Sequence, residues 1–481
     1  MIKILLGTLL LLIGNVCHAE DITIRYNGSL AKVKQTTRDS VKVTVKGAHV
    51  SIENLYKDHK LTLLLKGESN DGQLILKTDG KAKIKLEGLN LTSQEGAPLE
   101  LKNKKKVEVV AVKGTKNTLT VTACNDTVNH KAAVIWAKGK LQLSGKGALN
   151  INAIGDGCRG IKTKKDITIE ELTLNVTTSG NHLGEKPFTF GGFPGMSEGG
   201  FKMPEGGFPN FGGFPMPNDS IMQGGFPNFG GFPMPNDSTM QGGFPGKHKY
   251  VASTKGIASK GKITINSGNV TGRTSTAGAE GIEGKDGIVF NGGNIDVMTT
   301  DDAINANATI EFNGANVIAR STGNDAVDSN PKGGFFMPFG GNNNQEDTDP
   351  AIIIRGGTVY AWSQVGSPEE GLDCDFAPLV VEGGTIFTVG GGMGEMPSVP
   401  TNKTAKQPTV LLIGVNIVEN EPVNIYDAGG KLIHAVTVPF SMKRSASLVS
   451  SPAFKLGSTY TVKTKGYEKT FTLSENFTTL R

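Results

Sequence analysis

Short runs of alternating apolar and polar residues recur along most of the chain, and turns of the Asn-Gly or Gly-Gly type separate them. Clear examples occupy residues 263–270, 288–295, 354–359 and 381–386. An alternation with a period of two is typical of β-strands, and such glycine pairs are typical of the tight turns that join strands. The pattern therefore predicts a chain of many short strands.

A second marker, a small residue followed by an aliphatic one, returns at a nearly constant interval. After residue 256 the markers follow at steps of 25, 22 and 23 residues. The next step is 45 residues, which corresponds to two coils or to one coil plus the 331–349 insert. The markers are Gly160-Ile161, Gly256-Ile257, Gly281-Ile282, Ala303-Ile304, Ala326-Val327 and Gly371-Leu372. A period of about 20–25 residues with two or three strands per unit is typical of a parallel β-helix, whose equivalent positions stack about 4.8 Å apart. We therefore predict an all-β solenoid of this kind.

One segment departs from the pattern. The eighteen-residue unit at 206–223 returns at 224–241 with a single change, and proline or glycine follows every few residues. Because this composition prevents regular helix or sheet, we predict a flexible, disordered Gly/Phe/Pro-rich insert. The predicted organisation is a signal peptide (1–19), N-terminal strands with the first coils (20–183), the insert (184–249), acidic coils (250–400, with a short insert at 331–349) and a C-terminal β cap (401–481).

The composition agrees with a turn-rich β-protein. The chain has 481 residues, of which 65 are glycine, whereas the usual content of about 7% would give roughly 34. The glycines have no three-residue period, which excludes collagen, and 37% of the residues are hydrophobic, which excludes a wholly disordered chain.

The first residues have the pattern of a secretory signal. Lys3 precedes an apolar run at 5–13, and small residues at Cys17 and Ala19 suit a signal peptidase. The run is too short for a mature transmembrane helix, and no second candidate follows. Lipid attachment at Cys17 is the alternative, which the preceding Val16 does not suit. We predict a secreted protein without a transmembrane segment, located in the periplasm, at the cell surface or outside the cell.

The mature part keeps three cysteines, Cys124, Cys158 and Cys374, and no pair has CxxC spacing. Three cysteines cannot form a complete set of disulfides. A Cys124–Cys158 bridge remains open, and buried thiols are the interpretation that we favour.

The near-neutral net charge of +5 conceals two territories. Residues 20–180 hold 27 Lys and Arg against 17 Asp and Glu, whereas residues 250–400 hold 8 against 18. Such a division is an argument about binding partners.

The acidic residues of the second territory fall at fixed positions in the repeat. Two positions before each aliphatic marker residue come Arg159, Lys255, Glu280, Asp302, Asp325 and Glu370, and one position after it come Lys162, Ala258, Glu283, Asn305, Asp328 and Asp373. If the coils stack in register, the carboxylates form a ladder. Like charges at that spacing require a cation or raised pKa values.

Oxygen ligands without histidine or cysteine suit Ca²⁺ better than zinc. The candidate metal ligands are Glu280, Glu283, Asp301, Asp302, Asp325, Asp328 and Asp373, with Asp375 as a neighbour. The alternative is a solvated acidic face that binds nothing specific.

Two further groups are candidates for carbohydrate binding. Lys81, Lys83 and Lys85 alternate along one strand and so share a face that could hold a polyanion, or one that only keeps the protein soluble. Tyr360 and Trp362 share the face of another strand and could stack on sugar rings if they are exposed, or belong to the core. The secretion signal and the lack of a basic-aromatic motif argue against a nucleic-acid partner.

The coils from residue 155 to about 399 resemble a bacterial carbohydrate-binding family of right-handed parallel β-helix proteins. The segments that carry the resemblance are 155–161, 280–283, 301–305 and 324–328, with a closing segment at 448–452 and 457–461. The resemblance implies a right-handed coil, Ca²⁺ held at the acidic turns, binding of cellulose or pectin-like acidic polysaccharide, and a fold related to polysaccharide lyases. The basic N-terminal half fits the family less well.

Three functions remain open from sequence. We favour a secreted protein that binds polysaccharide without cleaving it, because no nucleophile elbow, histidine cluster or metalloprotease motif is present. The enzymatic alternative is a calcium-dependent lyase, in which Arg or Lys removes the C5 proton of a uronate. Its candidate bases are Arg273, Lys285, Arg320 and Arg355, and their spacing singles out none of them. A surface adhesin or structural protein is the third possibility.

Overall fold

The computed structural model describes residues 21–36, 41–54, 57, 60–123, 132–186, 249–331, 349–374, 377–392 and 397–481. The predicted signal peptide, nearly all of the 184–249 insert, most of the 331–349 insert, Cys124 and Asp375 lie outside these residues. The chain divides into two compact units, one of residues 1–184 and 251–481 and the other of residues 185–250.

The described part of the chain is all β, as predicted, and contains no α-helix. Accordingly, no helix there is long and apolar enough to cross a membrane. The strands are β1 (Ile22–Asn27), β2 (Leu30–Gln35), β3 (Val41–Lys46), β4 (His49–Asn54), β5 (Leu61–Ser69), β6 (Gln73–Thr78), β7 (Ala82–Ser93), β8 (Leu99–Leu101), β9 (Val107–Ala111), β10 (Lys116–Val121), β11 (Ala133–Ala137), β12 (Leu141–Ser144), β13 (Ala148–Ala153), β14 (Arg159–Thr163), β15 (Ile167–Glu170), β16 (Leu172–Thr178), β17 (Leu183–Lys186), β18 (Lys249–Ala252), β19 (Ile257–Ser259), β20 (Ile263–Ile265), β21 (Gly268–Thr274), β22 (Ile282–Gly284), β23 (Ile288–Phe290), β24 (Asn294–Thr299), β25 (Ile304–Ala306), β26 (Ile310–Phe312), β27 (Asn316–Ser321), β28 (Val327–Ser329), β29 (Ile352–Ile354), β30 (Thr358–Ser363), β31 (Leu372–Asp373), β32 (Leu379–Val381), β33 (Thr385–Val389), β34 (Thr409–Ile417), β35 (Pro422–Asp427), β36 (Leu432–Thr437), β37 (Met442–Ser450), β38 (Thr459–Thr464), β39 (Tyr467–Thr472) and β40 (Phe477–Leu480).

Parallel pairing organises most of these strands into three ladders. An 11-stranded sheet forms one ladder, in which β4, β6, β8, β11, β14, β19, β22, β25, β28 and β31 follow one another in parallel after the β3–β4 hairpin. A 23-stranded sheet contains the other two, one from β9 through β12, β15, β20, β23, β26 and β29 to β32, and one from β10 through β13, β16, β21, β24, β27 and β30 to β33. Each repeat thus contributes one strand to each ladder.

The markers pair across the 11-stranded sheet as predicted. Ile161, Ile257, Ile282, Ile304, Val327 and Leu372 are successive Cα partners. All of them are buried in one continuous hydrophobic core. Similar positions also stack in the other ladders, where the rings of Phe290 and Phe312 lie parallel with centroids 5.1 Å apart. The predicted in-register stacking is therefore confirmed for these strands.

The C-terminal strands pair differently. β37 pairs antiparallel with β33 and with β34, while β34 pairs in parallel with β40. Strands β36, β35, β38 and β39 form a separate four-stranded antiparallel sheet. β37 therefore continues the hydrogen bonding of the last strand of one ladder.

The small residue of the marker has a steric origin. A Cβ atom on Gly281 would lie 2.5 Å from the backbone oxygen of Ala303 and 2.5 Å from a methyl group of Val297. The coil therefore approaches its neighbour too closely at this point for any side chain.

Replacement Gly281→Ala is expected to lower the free energy of unfolding by about 1–3 kcal/mol, because backbone has to move to admit the methyl group. Urea denaturation of the full chain measures the change. Gly96→Ala is the matched control, because the nearest atom to its new Cβ lies 3.6 Å away. Equal stability of the two variants would contradict the close approach.

Candidate functional site

The outward side chains of the 11-stranded sheet form a line that we call the outer row. Its members are Trp136, Lys162, Ala258, Glu283, Asn305, Asp328 and Asp373, each a Cα partner of the next. A flanking row, two residues earlier in the marker repeat, holds Arg159, Lys255, Glu280, Asp302, Asp325 and Glu370. The structure thus places the repeat-phased charges side by side, as the sequence indicated.

Two of the predicted metal ligands are already neutralised by lysine. The Lys255 ammonium lies 2.6 Å from Glu280 Oε2 and 2.7 Å from Glu283 Oε1, and the Lys285 ammonium lies 2.6 Å from Glu283 Oε1. Burial raises the pKa of Glu283, but Lys255, Lys285 and Arg159 outweigh it and hold that pKa at about 2. These carboxylates therefore need no added cation.

Further along, an amide separates two buried carboxylates. Asn305 Nδ2 donates to Asp302 Oδ2 and to Asp328 Oδ2, both at 2.8 Å, and Asn330 Nδ2 donates to Asp328 Oδ1 at 2.7 Å. Asp302 is only 3% exposed, and its Oδ1 has no hydrogen-bond partner within the described residues. Burial, with the charges of Asp328 and Asp301, raises the pKa of Asp302 well above its usual value.

In the last acidic coil, backbone N–H groups donate hydrogen bonds to two of the carboxylates. Asp325 Oδ1 accepts the Glu370 N–H, and Glu370 Oε2 accepts the Ser398 N–H at 2.6 Å. Burial, reinforced by the Asp373 charge, raises the pKa of Asp325 to about 9. Asp373 itself lies 3.5 Å from the Ser398 hydroxyl.

Asp301 lies near enough to Asp302 for its charge to contribute to the raised pKa of Asp302, and its own Oδ1 accepts Asn324 Nδ2 at 2.7 Å. Among the described residues, no group of three or more Asp, Glu, His or Cys side chains is arranged to hold a metal ion. Calcium therefore stays a prediction, with Asp302, Asn305 and Asp328 as the set whose oxygen chemistry fits it best.

A basic cleft, which the sequence reasoning missed, opens beside Lys162. Its volume is about 570 Å³, and its charged lining consists of Arg159, Lys162, Lys164, Lys255, Lys260, Lys285 and Glu283. Arg159, Lys162 and Lys255 occupy repeat positions that carry acidic residues in later coils. This replacement of acidic residues by basic ones at equivalent positions is the sequence signal that could have located the cleft.

Within the cleft the cations differ in their partners. Arg159 donates from Nε to Ser253 O at 3.0 Å and from Nη2 to Ser253 Oγ at 2.6 Å, and the Lys164 ammonium lies 6.0 Å from the Trp136 ring. Lys162 makes no ion pair with any described residue. Burial and the charges of Arg159, Lys260 and Lys164 lower its pKa to about 7.

The predicted carbohydrate-binding lysines do share a face. Lys81 is exposed and Lys83 and Lys85 are half-buried on β7, and all three alternate with buried residues. The Lys83 ammonium lies 3.1 Å from Glu108 Oε1, and Lys60 lies 3.4 Å from the same carboxylate. The positive charge of this face is thus partly neutralised within the protein.

Of the two alternatives for the aromatic pair, Trp362 matches the core and not the exposed sugar platform. The rings of Tyr360 and Trp362 do stack, with centroids 5.8 Å apart. However, Trp362 is only 5% exposed and packs edge-on against Phe440, in a core cluster formed with the C-terminal strands. A distant segment covers this strand face, which leaves Tyr360 half-buried and removes the open platform that sugar stacking requires.

The candidate lyase bases are engaged elsewhere. Arg273 pairs with Asp296 at 2.6 Å, Arg355 pairs with Glu311 at 2.6 Å, and the Arg320 guanidinium lies 5.3 Å from the Phe440 ring. Of the four candidates, only Lys285 lines the basic cleft.

The two described cysteines, Cys158 and Cys374, are buried, as the favoured interpretation expects. Burial and the neighbouring Asp373 raise the pKa of the Cys374 thiol well above its usual value. Cys124, and with it the possible Cys124–Cys158 disulfide, lies outside the described residues.

Comparison with known proteins relates this chain to carbohydrate-binding proteins. The model of a family described as "Carbohydrate-binding domain-containing protein" matches residues 46–186 and 244–326. A protein of the same description from Acetivibrio thermocellus is 26% identical over 151 residues, which cover 30% of this chain and 50% of the relative. The chain therefore spans about half the length of the curated relative that it matches.

A solved structure titled as the polysaccharide lyase-like protein from C. thermocellum, in a gadolinium derivative, is also similar. The similarity covers 62% of this chain and 90% of that chain at 18% identity, with a TM-score of 0.39.

Replacement Lys162→Met is expected to stabilise the protein most at low pH. The pKa of Lys162 is about 7 when folded and near its ordinary value of 10.5 when unfolded. The unfolded state thus binds the extra proton between these values, so the native chain's penalty is complete below pH 7 and fades as the pH rises towards 10.5.

Thermal unfolding at pH 6 and pH 10.5 measures this difference. The melting temperature of Lys162→Met should exceed that of the native chain at pH 6, and the two should converge at pH 10.5. The exposed Lys116 provides a control, Lys116→Met, that should change neither value. A lower melting temperature for Lys162→Met than for the native chain at pH 6 would contradict this prediction, because it would show that the folded cleft stabilises the charged form of Lys162.

Proposed function

We propose that the chain is a secreted carbohydrate-binding protein that binds a plant-type or acidic polysaccharide, with calcium assistance and without cleaving it. The observation that carries the proposal is the carbohydrate-binding family match over residues 46–186 and 244–326. These residues contain β4 to β17 and β18 to β27, and with them most of the outer row.

The architecture that we propose is a right-handed parallel β-helix, with residues 184–249 as an insert and 401–481 as a cap. Its support is the order of pairing, because each repeat from β19 to β33 contributes one strand to each of the three ladders in turn. The long coil surface of such a fold is suited to binding an extended polymer.

The proposed binding surface is the basic cleft, where Lys162 of the outer row is accessible. Glu283, Asn305 and Asp328 on the later rungs are buried, so they set the charge behind this surface and do not form it. Ammonium and guanidinium groups of the cleft can donate hydrogen bonds to sugar hydroxyls and carboxylates, and a site with few fixed polar groups gains specificity from them. The cleft of about 570 Å³ has the size of a small-ligand site.

The proposed calcium site centres on Asp302, Asn305 and Asp328. The unpartnered, buried Oδ1 of Asp302 supports this placement, because an unsatisfied buried carboxylate oxygen is costly. A rotated Asn305 amide would add its carbonyl oxygen to the two carboxylates. Bound calcium would stabilise the ionised form of Asp302 against the burial and the neighbouring negative charges that now raise its pKa.

Retention on insoluble polysaccharide tests the proposed function. We expect the full chain to be retained on a cellulose or pectin matrix and to elute at lower salt when a chelator is added, because calcium assists the binding. A chain that passes through every glycan matrix, with calcium or with chelator, is not a carbohydrate-binding protein.

Calcium is expected to stabilise the full chain against thermal unfolding. A ligand at about 100 times its Kd adds about 2.7 kcal/mol to the free energy of unfolding. Asp302→Asn and Asp328→Asn should lose most of this gain, since each removes a negative oxygen ligand. Asp296→Asn is the matched control on another ladder and should keep it. An identical calcium response in all four proteins would contradict the site.

A second candidate function is a polysaccharide lyase, and Lys162 is the observation that favours it. An amine with a pKa of about 7 is largely deprotonated above neutral pH and can serve as a general base. Elimination would yield an unsaturated sugar that absorbs in the ultraviolet. We expect no absorbance rise on polygalacturonate with calcium, and a rise abolished by Lys162→Gln would establish the lyase instead.

A further inference from the structure

A row of lysines runs beside the outer row, at or just after the end of six strands of the 11-stranded sheet. Its members, the lysine row, are Lys77, Lys102, Lys138, Lys164, Lys260 and Lys285. All six stand three residues after the inward aliphatic residue of their strand, on six successive rungs from β6 to β22.

Backbone hydrogen bonds hold these residues in register. The N–H groups of Lys102, Lys138 and Lys164 each donate to the last inward residue of the preceding rung, at 2.7, 2.9 and 3.1 Å. The N–H groups of Lys260 and Lys285 do the same at 3.2 and 3.1 Å. With a rung spacing of about 4.8 Å, the row extends over about 24 Å.

Only part of this charge is neutralised within the protein. Lys77 pairs with Glu53 at 2.5 Å, Lys102 with Glu100 at 3.4 Å and Lys285 with Glu283 at 2.6 Å. The Lys77–Glu53 pair is exposed and contributes little stability, so an external anion can replace that carboxylate. Glu100 and Glu283, by contrast, are buried and stay with their lysines.

The other three lysines have no carboxylate partner. Lys138, Lys164 and Lys260 are exposed and make no ion pair with any described residue. Equal charges about 4.8 Å apart repel one another, and this arrangement costs the folded chain stability unless a counter-charge of similar spacing lies against it.

We propose that the lysine row binds a linear polyanion, an acidic polysaccharide that carries one carboxylate on each sugar, laid along the sheet with its central sugars over the basic cleft. This inference rests on the proposed function and decides between its two glycan classes in favour of the acidic one. The cleft adds Arg159 and Lys162 where Lys164, Lys260 and Lys285 line its edge.

The surface suits a sugar polymer better than a single-stranded nucleic acid. Nucleic-acid grooves of this kind combine cations with exposed aromatic rings on which bases stack. The aromatic residue beside the row, Trp136, is only 4% exposed. A polyuronate needs no such rings, because its charge repeats with every sugar.

Calorimetric titration of the full chain tests this inference, with a chelator present so that calcium plays no part. The probes are a hexamer and a dimer of galacturonic acid, cellohexaose, a single-stranded DNA oligomer and inorganic phosphate. We expect the galacturonate hexamer to bind more tightly than the dimer, and its affinity to fall as salt is raised, because the contacts are solvent-exposed charges.

The variant Lys138→Gln/Lys260→Gln should weaken hexamer binding by about tenfold or more, since two charge-assisted contacts are lost. Its control, Lys113→Gln/Lys116→Gln, removes two exposed lysines from the turn and strand around β10 and the same net charge. The control should bind within about twofold of the native chain. Neither pair of lysines has an ion-pair partner within the described residues, so neither variant should melt below the native chain, and the loss of repulsion in the lysine row should raise the melting temperature of Lys138→Gln/Lys260→Gln if it changes at all.

Several results would overturn the inference. Equal loss in the two variants would show a general effect of net charge, and equal affinity for hexamer and dimer, or for hexamer and phosphate, would show a single anion site. Tighter binding of DNA than of galacturonate would assign the row to nucleic acid. Binding of cellohexaose alone would overturn the lysine row but leave the proposed function standing, whereas retention on no glycan matrix would remove both.

Discussion

In-register parallel stacking is the constraint on which the other features of this protein depend. The aliphatic markers pair rung upon rung from Ile161 to Leu372, and the side chains beside them must stack as well. Equivalent positions in successive repeats therefore form a line of side chains about 4.8 Å apart. Where the equivalent residues are apolar the line becomes part of a continuous core, and where they are charged it becomes a line of interacting charges.

The chain resolves the repulsion along its charged lines in two ways. In the middle coils a cation enters the line, and Lys255 joins Glu280 and Glu283. In the later coils an amide enters, and Asn305 bridges Asp302 and Asp328 while burial raises the pKa of Asp302. The first solution leaves a satisfied ion pair, and the second leaves an oxygen without a partner, which is why the proposed cation belongs with the later coils.

The sequence could predict what depends on local periodicity. The repeat of small and aliphatic residues was sufficient for the register, and the register was sufficient to place Glu283, Asn305 and Asp328 in one line. The burial of Trp362 could not be predicted, because Phe440, which covers it, lies far away in sequence and on no repeat. The basic cleft escaped as well, since its depth depends on how side chains from several turns surround Lys162.

Binding of the polysaccharide at the basic cleft has one direct test, which fills the cleft without altering its charge. Ala258 lies in the outer row between Lys162 and Glu283 and lines the cleft, so Ala258→Trp places a large ring there. Thr168→Trp places the same ring on an outward position of another ladder. Retention of the folded proteins on a pectin matrix is the measurement. We predict that Ala258→Trp is lost from the matrix while Thr168→Trp is retained like the native chain, and equal retention of both variants would contradict binding at the cleft.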